Sequence, residues 1–196
     1  MKLYHGSPKL FDHFDLADAG KSTGIKFGYG VSLTEVEKSA VHYSQPRHME
    51  VQPQHYLYTV EIPDLTETNH LISAKPVHDS IVTLVEQKLG VRVPAEYKEA
   101  GKEFRKWIGR TLTGAKETDR EEERLAAELL DSIGVKYNVW PTAQTKPDGP
   151  KNIAVFNPTN IRIIKVEEIA IELKCKKWVL ADRKDVTHKQ ERYVTL

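Results

Sequence analysis

The chain has 196 residues, of which 29 are basic and 28 acidic, giving a formal net charge of +1; 39% are hydrophobic and 29% charged. That length suits one domain with a single core, and the mix of apolar and charged residues excludes a disordered chain. Near-neutrality removes any general pull towards nucleic acid or an anionic membrane, and a lone cysteine, Cys175, excludes an intrachain disulfide and a multi-cysteine zinc site.

Residues 2–5 read as a short apolar strand running into His5-Gly6-Ser7. Phe11 and Phe14 suggest an apolar clamp around a turn, and Asp15 to Lys26 is a polar, glycine-containing loop. Gly28 to Leu33 reads as a second strand entered through glycines. Thr34-Glu35-Val36-Glu37 matches a capping box, which predicts a helix from about Glu35 to Tyr43 with Val36, Ala40 and Tyr43 on one face. Residues 55–62 alternate as a strand, which Pro63 stops.

The character changes between about 76 and 133. Ile81, Leu84, Val85 and Leu89 recur with helical period, Pro94 to Leu112 continues it, and Glu121 to Ile133 carries Leu125, Leu129 and Ile133 on one face. Gly134 is placed to end that helix. Strands return at 136–140, 152–156, 161–166 and 169–173, with a polar loop at 141–150. Lys174 to Arg192 is rich in Lys and Arg and reads as a solvated tail. Strands, then helices, then strands predict an α+β fold: one domain over 1–175 with a helical insertion at about 76–133, then a basic tail over 176–196.

No apolar run approaches the roughly 20 residues needed to span a bilayer, and the N-terminus lacks a signal-peptide pattern, so a cytoplasmic protein without membrane contact is expected. The eight histidines are scattered, with no HExxH and no His-x-x-x-His pair, so no metal is expected. There is no Walker loop, and Gly28-Tyr29-Gly30 lacks the third glycine of a dinucleotide fingerprint.

Three segments stand out together: the strand ending in His5-Gly6-Ser7; Gly28-Tyr29-Gly30-Val31-Ser32-Leu33-Thr34 leading to His42-Tyr43; and Asn152-Ile153-Ala154-Val155-Phe156-Asn157-Pro158. Singly, His5 reads as a satisfied strand-end histidine and Tyr43 as a core aromatic. In this order and spacing the set resembles the His-Tyr-Glu branch of the ADP-ribosyltransferase superfamily, which holds diphtheria-type toxins, poly-ADP-ribose polymerases and small bacterial and phage members. The likeness runs from residue 2 to about 173, with Ala126 to Leu130 and Gly134 to Trp140 resembling the helix and strand before the late strand of the small members.

The resemblance implies a split two-sheet core that binds NAD in a cleft. By it, His5 would bond the adenine-side ribose, Gly6 would hold the nicotinamide carboxamide through its backbone, Tyr43 would stack on the nicotinamide ring, and Ser7 would add a polar contact. Gly30 and Ser32 would line the same pocket, and Lys21 or Lys26 would meet the diphosphate. The implied activity is NAD-dependent mono-ADP-ribosyl transfer to an unknown macromolecular acceptor, protein or nucleic acid, of the toxin or phage-effector kind.

The chain departs from the family pattern twice. Ser32 stands where a Tyr or Phe is common, and it cannot stack. Asn152 stands where many members carry the catalytic Glu. Asn can accept a ribose hydroxyl bond but supplies no charge. A unit charge about 4 Å from the developing ribosyl cation is worth up to roughly 4 kcal/mol at an effective dielectric near 20. That amounts to about a thousandfold in rate. Poly-ADP-ribose synthesis is therefore not expected. A weak or inactive NAD- or ADP-ribose-binding module and an NAD glycohydrolase stand as alternatives. Glu128, Glu167 and Glu168 are the acids nearest the relevant strands in sequence, and sequence alone does not place them.

Overall fold

The computed structural model describes residues 1–18, 27–45, 50–141 and 149–187. Its strands form one eight-stranded sheet in the order β4-β5-β6-β2-β1-β3-β7-β8. In chain order these are β1 (Lys2–Ser7), β2 (Val31–Thr34), β3 (His55–Glu61), β4 (His70–Ile72), β5 (Tyr137–Pro141), β6 (Lys151–Val155), β7 (Arg162–Lys174) and β8 (Lys177–Asp185). The helices are α1 (Glu37–Tyr43), α2 (Asp79–Leu89), α3 (Ala95–Lys98), α4 (Gly101–Thr113) and α5 (Arg120–Ser132). The fold is thus α+β with a mixed sheet.

The helical segment has a topological role. β4 and β5 pair in parallel, through Leu71↔Asn138 and its neighbours, and a parallel pair needs a long crossover. Helices α2 to α5 are that crossover. They bury Ile81, Val85, Phe104, Ile108, Ala126 and Leu130 with Tyr29 and Phe156 of the sheet side. α5 starts at a true capping box: the Asp119 side chain accepts from the first turn, and Glu122 reaches back to the Asp119 amide at 3.1 Å. Past its end, the Val135 N–H bonds the Leu130 carbonyl at 3.0 Å beside Gly134 at φ +92°.

Between α4 and α5 lies an ion pair, Arg105 with Glu123, both buried. The guanidinium also lies under Gly28, where an added Cβ would come within 3.2 Å of it. Burial pushes the Arg105 pKa down to about 10, which still leaves it charged at neutral pH.

The predicted capping box at Thr34–Glu37 does not form. Thr34 is the last residue of β2, paired with Asn152, so its hydroxyl accepts only the Val36 N–H at 3.2 Å and α1 begins at Glu37. Glu37 pairs with Arg183 on β8 instead, at 2.6 Å. The two predicted strands at 161–166 and 169–173 are one strand, β7, because β3 and β8 pair with it on both sides. The predicted solvated tail begins as a strand: Cys175 and Lys176, at φ 50° and 64°, form the two-residue turn of a hairpin, and 177–185 run back along β7. Residues 188–196 lie outside the described residues. Among the described residues no helix is long and apolar enough to cross a membrane.

Candidate functional site at the seam of the sheet

The eight strands are not joined evenly. β1 pairs with β3 along its whole length, from Lys2↔Glu61 to Ser7↔Tyr56, and β2 pairs with β6 from Val31↔Val155 to Thr34↔Asn152. Between β1 and β2 there is a single pairing, Tyr4↔Thr34. The sheet is therefore two well-paired halves meeting at a thin seam. Backbone groups beyond that pairing lack a ladder partner across the seam and need another one.

His5 sits in this seam. Its Nδ1 lies 2.9 Å from the Ser32 carbonyl oxygen. A carbonyl only accepts, so Nδ1 carries the proton. Burial holds the His5 pKa below its ordinary 6.5, and the bond to Ser32 opposes that only in part. The ring is thus neutral at pH 7, with Nε2 as its acceptor nitrogen. Around it, Phe14 packs edge-on at 5.2 Å, with Phe11 and Tyr58 at 6.2 Å, and Phe11 stacks on Tyr58 at 4.2 Å. The Tyr58 hydroxyl, accepting the Phe11 N–H at 2.7 Å, ties this segment to β3. The aromatic clamp foreseen at Phe11 and Phe14 thus closes on His5.

Gly6 has a packing reason to be glycine. An added Cβ would overlap the Ala40 carbonyl and lie 2.8 Å from Ser44 N, so the last turn of α1 rests directly on the strand. Tyr43 belongs to that turn. Its ring is 52% exposed and inclined to His42 at 5.4 Å, so it is a surface aromatic rather than a core one. Gly30 is equally constrained, since a Cβ there would come 2.6 Å from the Val155 carbonyl.

Side chains of directly paired residues share a face, and faces alternate along a strand. Tyr4, Thr34 and Asn152 stand in one row, with Trp140 next on β5, on the face that α1 partly covers. Gly6 and Ser32, two residues along, belong to that face too. His5 belongs to the opposite one, with Leu3, Leu33 and Ile153. So Gly6, Ser32, Tyr43 and Asn152 share one face, and His5 connects to them through the Ser32 carbonyl. Asn152 is two strands from β1, about 10 Å at ordinary strand spacing.

Other expected site residues behave differently. The Ser7 side chain is buried and accepts the Lys9 N–H at 3.0 Å, a turn-forming bond. Lys21 and Lys26 lie outside the described residues. Of the three acids in question, Glu128 pairs with Arg124 on α5. Glu167 is buried beside Lys165 and Arg183, and Glu168 stands in a row with Tyr56, on the His5 face.

No match to known proteins was found: no family model fits the chain, and no curated protein or solved structure matches it.

Two neighbours of the site escaped the sequence reading. Trp140 stacks on Phe27 at 4.3 Å with rings nearly parallel, next to Asn152 in register. Glu35 accepts the Lys151 N–H at 2.6 Å through Oε2, and its own N–H bonds the Lys151 carbonyl at 2.9 Å. Both depend on pairing with a strand far along the chain. Among the described residues no group of three or more His, Cys, Asp or Glu is disposed to hold a metal ion.

Proposed function

We propose that the chain binds NAD across the seam and cleaves its nicotinamide–ribose bond, transferring ADP-ribose to a macromolecular acceptor. The observation that carries this reading is the seam itself. One pairing joins β1 to β2, His5 bridges the gap to the Ser32 carbonyl, and Gly6 lies beneath the turn that presents Tyr43. The thin seam also supports describing the sheet as the split core of an ADP-ribosyltransferase-like fold.

The groups suit the chemistry. Neutral His5 offers Nε2 to a ribose hydroxyl. The exposed Tyr43 ring offers a π face to cationic nicotinamide, an attraction that ends when the leaving group becomes neutral. The C1′–N bond breaks with its electron pair going to nicotinamide, and the ribose becomes oxocarbenium-like, as in glycoside hydrolysis. The acceptor's lone pair then forms the new bond to C1′ and its proton passes to solvent. Asn152 orients a ribose hydroxyl through its amide without supplying charge.

A second reading, a module that binds NAD or ADP-ribose without turnover, is favoured by the same Asn152 and by Ser32, whose exposed side chain cannot stack. Labelled NAD separates the readings. The transferase releases nicotinamide and leaves label on macromolecules of a cell lysate. Label found only in free ADP-ribose means water is the acceptor. A rise in melting temperature with NAD but no nicotinamide means a binding module. If NAD neither shifts the melt nor loses nicotinamide, the NAD reading falls.

A further inference from the structure

The NAD reading gives Tyr43 a stacking role, yet its own helix fixes the ring poorly. α1 has seven residues and no side-chain cap at its start. A helix that short is unstable by itself, so its position is set by what packs against it. The Tyr43 ring is 52% exposed, so burial does not hold it either.

The residues on either side of Tyr43 are held instead, each through a histidine. His42 is half-buried and accepts the Trp178 N–H on its Nδ1 at 3.2 Å. Its ring lies 5.4 Å from the Tyr43 ring, inclined at 60°. On the other side, the carbonyl of the buried Ser44 accepts from Nδ1 of the buried His55 at 3.2 Å. The two bonds reach different strands, because Trp178 is on β8 and His55 begins β3. β8 is the edge of the sheet, so a backbone N–H turned away from β7 needs a partner from elsewhere, and His42 provides one for Trp178. The far end of α1 is tied to the same strand through Glu37 and Arg183. Between these ties, Leu180 of β8 packs against the cluster that holds Ala40 and Val41.

Resting on the NAD reading above, we propose that His42 is a positioning residue for Tyr43. It locks the residue before Tyr43 to β8, while His55 anchors the residue after it, and its own ring meets the Tyr43 ring. It does not touch NAD. β8, at the outer edge of the sheet, thereby helps to set the site. The interaction it serves is the attraction of the Tyr43 π face for cationic nicotinamide, which exists in bound NAD and ends as the leaving group becomes neutral. Losing it weakens NAD binding without slowing the step from bound NAD.

The test measures the Kd for NAD by titration, kcat for nicotinamide release and the unliganded melting temperature, all in the full chain. His42→Leu removes the acceptor for the Trp178 N–H, whereas the amide oxygen of His42→Asn replaces it. His42→Leu should raise Kd roughly two- to thirtyfold, the span of a cation–π attraction, with kcat not reduced. His42→Asn should return Kd to near the parent value. In a Tyr43→Ala background, His42→Leu should change Kd no further, because its effect passes through the ring. Arg183→Gln, which frees the other end of α1, serves where His42→Leu does not fold; it should raise Kd in the same way, again only while Tyr43 is present. A parent-like Kd in the folded variant overturns the proposal. So does a rise that persists undiminished without Tyr43, or a fall in kcat at constant Kd, since either marks a part of the general fold. These outcomes leave the NAD reading standing. A parent chain that neither binds nor cleaves NAD removes that reading, and the role of His42 with it.

Discussion

The two halves of the sheet solve the problem of covering a sheet face in opposite ways. On the β4-β5-β6 side, four helices build a deep apolar layer that encloses a buried ion pair, Arg105 with Glu123. On the β1-β3-β7-β8 side, one short helix rests on bare backbone at Gly6, and its core is only Ala40, Val41, Leu57 and Ile169 with flanking residues. The thick half derives its stability from side-chain burial, whereas the thin half depends on close backbone approach and leaves Tyr43 outside. The candidate site lies where the two meet, where β1 and β2 share a single pairing among the described residues. The lesson is that the scaffold is well paired on both sides of the site and thinly paired across it.

The largest expected effect comes from breaking the thick half's buried pair. Arg105→Met alone, or Glu123→Gln alone, strands a buried partner and should cost about 3–5 kcal/mol in urea unfolding. Replacing both with apolar residues of similar volume should recover most of that loss. A single substitution without measurable cost would show that the helical layer does not rely on this pair.

The next largest effect tests the thin half. Gly6→Ala forces a Cβ into the Ala40 carbonyl and should destabilise by about 1–3 kcal/mol, the range for overpacking a tight contact. Hydrogen exchange should locate the damage: amides of α1 lose protection while those of α4 and α5 keep theirs. Uniform loss across both layers would mean the halves unfold as one cooperative unit.

The smallest effect compares the halves by proton linkage. His5 and His70 sit one in each half, and both pKa values are held below 6.5, in each case chiefly by burial. Well above pH 6.5 both are neutral whether folded or unfolded, and neither alters stability. As pH falls through 6.5 the unfolded chain takes up protons first, so stability is lost until the folded pKa values are passed. Melting temperature should therefore drop as pH falls through 6.5. His5→Gln and His70→Gln should each flatten part of that slope. A slope unchanged in His5→Gln would mean that His5 titrates normally in the folded protein.

Much of the fold was legible because periodicity reports burial directly. The apolar spacing of Ile81 to Leu89 and of Leu125 to Ile133 marks α2 and α5, and the alternation at 55–61 marks β3. The misreadings share a cause. Thr34-x-x-Glu37 has the letters of a capping box, but a ladder bond to Asn152 outbids it, while Asp119 and Glu122 make the real one. Glu167-Glu168 looks like a break between strands, yet Lys165 and Arg183 neutralise Glu167 and the strand runs through. β4 has three residues, too few for a pattern, and β8 is largely exposed, so its polar sequence resembles a tail.

The sequence by itself determined the class of fold, the order of most elements, and the identity of His5, Gly6, Tyr43 and Asn152 as the residues worth following, because each rests on local spacing or on a motif. Tertiary structure alone decided which of them share a face, that the His5 ring bonds the Ser32 carbonyl through Nδ1, and that Glu35 ties the backbone of Lys151. The bond that places Glu35 joins residues 116 positions apart. Strand register at that distance follows from packing of the whole sheet, and no local pattern encodes it.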